Sequence, residues 1–142
     1  MLRRLMNWKK KPDQDRANET ELYNAIGVAV IELIGRTDIR ALLYVEMAEG
    51  SFDTAIRYSS ADMPGVKGAF ASHDLTRALL NLCDFLKSQG DDKLWTAMEY
   101  LADHGDVDIS LSYDEIDQDM AIWERSPAVI DKYFPGKPFY KD

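Results

Sequence analysis

Polar and apolar residues alternate without a fault from Asp106 to Tyr113: Asp106, Asp108, Ser110 and Ser112 against Val107, Ile109, Leu111 and Tyr113. Successive strand side chains point to opposite faces, so the pattern predicts a strand with one apolar face and one face of carboxylates and hydroxyls. LWTAMEYLA (94–102) reads as its hairpin partner across Asp103, His104 and Gly105. That partner is apolar on both parities, with Trp95, Ala97 and Leu101 on one and Met98 and Tyr100 on the other. Something should therefore cover both of its faces. IRALLYVEM (39–47) and FDTAIRYS (52–59), separated by the turn AEGS, predict an earlier hairpin.

Helical spacing appears in two long stretches. Leu22, Ile26, Ala29, Val30 and Leu33 predict a helix over 18–35, with Asn18 and Glu21 spaced as a capping box and Gly35 placed to end it. Leu75, Leu79, Leu82, Cys83 and Leu86 predict a second helix, capped by Ser72 and running to about Ser88. Between the first hairpin and this helix, ADMPGVKGAFAS (61–72) carries two glycines and a proline and reads as a loop. DMAIWER and SPAVIDKYF read as one or two short helices, with Ser126 and Pro127 suited to the start of the latter. Pro135, Gly136 and Pro138 end regular structure.

The order helix, hairpin, helix, hairpin, helix predicts an α+β domain over 18–142, preceded by a basic leader (1–17) that is flexible or extends the first helix. Its core would be a four-stranded antiparallel sheet built from two helix–hairpin units, with helices packed on one face. Ala41, Leu43, Val45 and Met47 would face those helices, as would Phe52, Thr54, Ile56 and Tyr58. Arg40, Leu42, Tyr44, Glu46, Asp53 and Arg57 would face outward. The segment around Trp123, Tyr133 and Phe134, or a partner, would cover part of that open face.

At 142 residues the chain has the size of one domain and buries about two-thirds of its surface. A single cysteine, Cys83, excludes an internal disulfide and, set in an apolar run, predicts a buried thiol. No apolar run approaches membrane-span length and the leader lacks a signal-peptide core, so the expected location is cytoplasmic. Charge changes the picture more. Residues 1–12 hold five Lys or Arg and no acid, which leaves 12 basic against 25 acidic residues, net −13, for the rest. A body that acidic repels nucleic acid and anionic lipid and attracts basic proteins.

The sequence carries no phosphate-binding glycine loop, nucleophile elbow or zinc-ligand spacing, and no calcium loop register starts at Asp103, Asp106 or Asp108. His73 and His104 read as polar surface residues. No cofactor, metal or catalysis is expected. The acidic stretch has a plain explanation as solvated strand charge that discourages edge pairing. Its sharper reading is a docking surface in which aromatics supply contact area and carboxylates meet Arg and Lys. The candidate residues are Tyr44, Glu46, Tyr100, Asp106, Asp108, Asp114, Glu115, Asp117 and Trp123.

WTAMEY (95–100), GDVDISLSYD (105–114) and WER (123–125) resemble the YezG-like immunity proteins of bacteria, and DKYF (131–134) matches that family's terminal helix loosely. The resemblance covers about residues 18 to 134. The tail SPAVIDKYFPGKPFYKD is longer than the family pattern, and the first hairpin carries none of its motifs. The resemblance implies a non-enzymatic antitoxin that binds a cognate toxin, often a nuclease; as to its own assembly, monomer and homodimer both stay open. The competing expectation is an acidic secretion chaperone, which the doubly apolar strand 94–102 would suit; a small-ligand enzyme is a third.

Overall fold

Two hairpins meet through their first strands. A computed structural model describes residues 13–48, 51–117 and 119–139. The chain runs α1 (Asp13–Ile34), β1 (Arg40–Ala48), β2 (Ser51–Ser59), β3 (Lys67–Ala69), α2 (His73–Ser88), β4 (Ala97–Asp103), β5 (Asp106–Ser112) and α3 (Ile122–Tyr133). The sheet order is β3-β2-β1-β4-β5, every neighbouring pair antiparallel. The α+β class and the two helix–hairpin units are as the sequence predicts.

Each local signal has a visible cause. Gly35 ends α1 at φ +82°, its N–H donating to Ile31 O at 2.7 Å. The Ser72 hydroxyl caps α2 by accepting from Leu75 N at 3.1 Å. His104 and Gly105 both take positive φ, 52° and 92°, the geometry of a two-residue type I′ hairpin turn. Cys83 is buried under α2, and that burial pushes its thiol up to about 11.

α1 and α2 pack against each other and on one face of the sheet, over Ala41, Leu43, Val45, Ile56, Met98 and Ile109. The opposite face is covered too: Val129, Ile130 and Tyr133 of α3, with Phe134 after it, cluster with Leu42 and Leu101. β1 is consequently buried along both faces.

Four expectations change. The helices do not all share one face: α3 covers part of the face left open by the first two, a role expected for the segment around Tyr133 and Phe134. The sheet has five strands rather than four: Lys67–Ala69, inside the stretch read as a loop, pairs with Tyr58–Ile56. α1 starts at Asp13, so Asn18 lies inside the helix, not at its cap, and residues 13–17 extend the first helix, one of the two roles expected of the leader. Residues 1–12 lie outside the described residues. Finally, the C-terminal helix is single, one of the two expected forms, and Ser126 and Pro127 lie inside it rather than at a start. Pro127 lacks the N–H that Trp123 O would accept, yet seating of Val129, Ile130 and Tyr133 on the sheet carries the helix through.

Candidate partner-binding surface

The strand registers divide the candidate residues between two ends of the sheet. Asp53, Glu46, Ala97 and Ser112 form one cross-strand row, and Ser59, Arg40, Asp103 and Asp106 form another, six residues along β1. At about 3.3 Å per residue these rows lie roughly 20 Å apart. α3, at about 1.5 Å per residue, is long enough to span them. Its first turn reaches Glu46, and its last carbonyl, Tyr133 O, accepts from Arg40 Nη1 at 2.8 Å.

The three residues of WER do three different jobs at the start of α3. Trp123 is 74% exposed. Glu124 folds back so that Oε1 accepts from Ala121 N at 3.0 Å, satisfying an N-terminal donor of the helix. Arg125 turns inward and grips Glu46, Nε to Oε2 at 2.7 Å and Nη2 to Oε1 at 2.6 Å. Tyr44 completes the group by donating to Glu46 Oε2 at 2.6 Å. Burial alone would raise the Glu46 carboxyl, but the hydrogen bonds from Arg125 and Tyr44 outweigh it and hold it below the usual carboxylate range. Burial and the adjacent Glu46 raise the Tyr44 phenol.

The same network braces the segment between β5 and α3. Arg125 Nη1 donates to Asp117 O at 2.7 Å, and Thr96 Oγ1 donates to Asp114 O at 2.6 Å. Asp119 N and Met120 N then close a turn on Asp117, at Oδ1 (2.9 Å) and O (3.2 Å). The backbone is held, while the carboxylates of Asp114, Glu115, Asp117 and Asp119 stand exposed. Beside Trp123 lies a cavity of about 270 Å³, lined among others by Asp53, Ile116, Met120 and Arg125.

The structure distributes the expected surface residues over different environments. Tyr100 is 1% exposed and faces the helices, its hydroxyl donating to Tyr23 O, so it belongs to the core. Tyr44 and Glu46, each 6% exposed, face the predicted side but lie beneath α3 as the anchor of Arg125. Asp106 is exposed and Asp108 half-buried, and both belong with the far half of β5. Glu115 and Asp117 line one shallow cavity with Ile116, and Ile116 also lines the cavity of Trp123. Asp53, Ile116 and Met120 join them from outside the predicted set. Asp53 is placed by its register opposite Glu46, a pairing across a hairpin that sequence alternation alone does not assign.

Both histidines are exposed, His73 beside Arg77 and His104 beside Asp103. Among the described residues, no three His, Cys, Asp or Glu side chains converge as a metal site. Also among these residues, no helix is long and apolar enough to cross a membrane. Comparison with protein-family models finds none that matches the chain, and comparison with curated proteins finds no match.

Proposed function

We propose that this chain is a non-enzymatic, cytoplasmic immunity protein that binds and neutralises a basic toxin, a nuclease being the class that a strongly acidic binder fits best. The observation that carries this reading is the position of Trp123. It is a large, exposed aromatic that lines a cavity with Asp53 and Ile116, next to the acidic segment 114–119, whose backbone Arg125 and Thr96 brace. An exposed aromatic ringed by charge is the usual anatomy of a binding hot spot: the ring fills a partner pocket and the rim steers approach. Bracing lowers the entropy lost on binding, because the segment is ordered beforehand.

Carboxylates presented this way compete with phosphate for the basic cleft of a nucleic-acid-cleaving enzyme, and long-range attraction speeds capture. The chaperone alternative loses the feature that suggested it. Both apolar faces of the strand at 97–103 are covered by the chain's own elements, Met98 and Tyr100 under the helix pair and Leu101 beside α3.

The test is co-purification from the native host with this protein as bait, followed by co-expression with whatever binds. A stoichiometric basic domain whose toxicity disappears on co-expression supports the proposal. A partner held through an unfolded segment instead establishes the chaperone, and turnover of a small molecule overturns both.

A further inference from the structure

At the far end of α3, about 20 Å from Trp123 by the strand spacing, the sheet and the C-terminal tail enclose a cleft of about 440 Å³. Arg40, Asp103, His104 and Lys137 supply its charged and titratable walls, and Phe134 with Pro135 supplies an apolar side. We propose that this cleft binds a small oxyanion, a phosphate or carboxylate group carried by a small molecule, through Lys137 and Arg40.

The case rests on which hydrogen-bonding capacity is already spent. Asp103 is the one carboxylate among the described residues of the wall, and both its oxygens are engaged. Oδ2 accepts from Arg40 Nε (3.2 Å) and Nη2 (2.8 Å), and Oδ1 meets His104 Nδ1 at 2.7 Å. The neighbouring carboxylates Asp38 and Asp62 are held by Arg36.

The cations are less completely used. Among the described residues, Lys137 Nζ donates only to neutral oxygens, Ser59 Oγ at 2.8 Å and Ser60 O at 3.0 Å. An ammonium has three donors, so one N–H and the whole positive charge remain available. Arg40 spends three of its five N–H groups, two on Asp103 and one on Tyr133 O.

A structural role accounts for part of this set. Arg40 satisfies the last carbonyl of α3, and Asp103 neutralises Arg40. It does not account for Lys137, which meets no carboxylate among the described residues and brings its charge into the same cleft. That cleft is donor-rich in a chain of net charge −8, so attraction for an anion there is local rather than global. An oxygen-bearing anion would accept from Lys137 and Arg40 together while its organic body rests against Phe134 and Pro135.

The experiment is an amide and side-chain NMR titration of the full chain with inorganic phosphate, sodium acetate and sodium chloride at matched ionic strength, on wild type, Lys137→Gln and Lys137→Arg. Saturable shifts centred on Ser59, Ser60, His104 and Lys137 are expected with phosphate or acetate, and whichever saturates identifies the anion. Lys137→Gln should bind about tenfold more weakly and Lys137→Arg should retain binding. Shifts equal to those from chloride, shifts centred elsewhere, or a Gln variant that binds like wild type overturn the proposal. Because the cleft and Trp123 lie at opposite ends of α3, failure here leaves the immunity reading intact.

Discussion

Arg125 of α3 and Glu46 of β1, 79 residues apart, form a two-pronged ion pair beneath the helix, at 2.7 and 2.6 Å. It fastens α3 to the central strand and, through Asp117 O, positions the acidic segment that Trp123 adjoins.

Removing one partner leaves the other charge buried, which costs more than the pair itself contributes. Arg125→Ala should destabilise the fold by about 3 kcal/mol, read from urea unfolding at neutral pH. Replacing both residues with apolar ones (Glu46→Leu with Arg125→Met) should recover most of that loss. A double variant as unstable as the single one would show that the helix anchors elsewhere.

Acid stability follows from the same pair with a definite sign. The folded-state carboxyl of Glu46 lies below its ordinary value of 4.5, as Asp103 lies below 3.8 through Arg40 and His104 despite the opposing effect of burial. A depressed folded pKa contributes stability that is fully present above the ordinary value and is lost as pH falls through the lowered one. Urea midpoints measured from pH 7 down to pH 3 should therefore fall on the acid side. Glu46→Gln should flatten that fall while lowering the plateau at pH 7.

Binding and folding should separate at Trp123. Trp123→Ala removes an exposed ring, so the melting temperature should stay close to wild type. Affinity for the co-purified partner should drop about 30-fold or more, chiefly through faster dissociation. Charge reversal at Asp114, Glu115 and Asp117 should instead slow association and weaken its salt dependence. The same reversal at Asp106 and Asp108, at the far half of β5, should do less. If surface plasmon resonance ranks these two sets the other way, the partner sits on β5.

Much of this was legible because it is local. The alternation of Asp106–Ser112, the Ser72 cap and the His104–Gly105 turn each depend on residues within a few positions. What could not be read depends on distant pairing. Lys67–Ala69 becomes a strand only because β2 offers an edge, and Gly68 at its centre gives no strand signal. Alternation placed Tyr44 and Glu46 on the correct side of β1, and the segment around Tyr133 and Phe134 was a candidate cover for it, but nothing local said that the cover reaches Glu46 through Arg125. The apolar residues on both parities of β1, Leu42 included, were the available sign of a doubly buried strand. Tyr100 was misplaced because Trp95 and Met98 share one core cluster although they differ in parity; regular alternation starts only at Ala97, after the bend that follows Trp95.

The seating of α1 offers a substitution whose sign runs against the ordinary rule. Replacing a helical glycine by alanine normally stabilises by about 1 kcal/mol. At Gly27 the new Cβ would lie 2.6 Å from the Tyr100 hydroxyl oxygen, while the ring carbon behind it stays at an ordinary 3.5 Å. That hydroxyl cannot swing away freely, since it donates to Tyr23 O at 2.7 Å and Tyr100 is 1% exposed. Gly27→Ala should therefore destabilise by about 1–3 kcal/mol through overpacking. Tyr100→Phe alone should cost about 1 kcal/mol for the lost hydrogen bond. In that background the oxygen is gone, so Gly27→Ala should become neutral or stabilising, with a coupling of about 1 kcal/mol or more in the double-mutant cycle. Equal destabilisation in both backgrounds would place the conflict in the ring or the backbone rather than the hydroxyl, and α1 would then be held off the sheet by more than one oxygen atom.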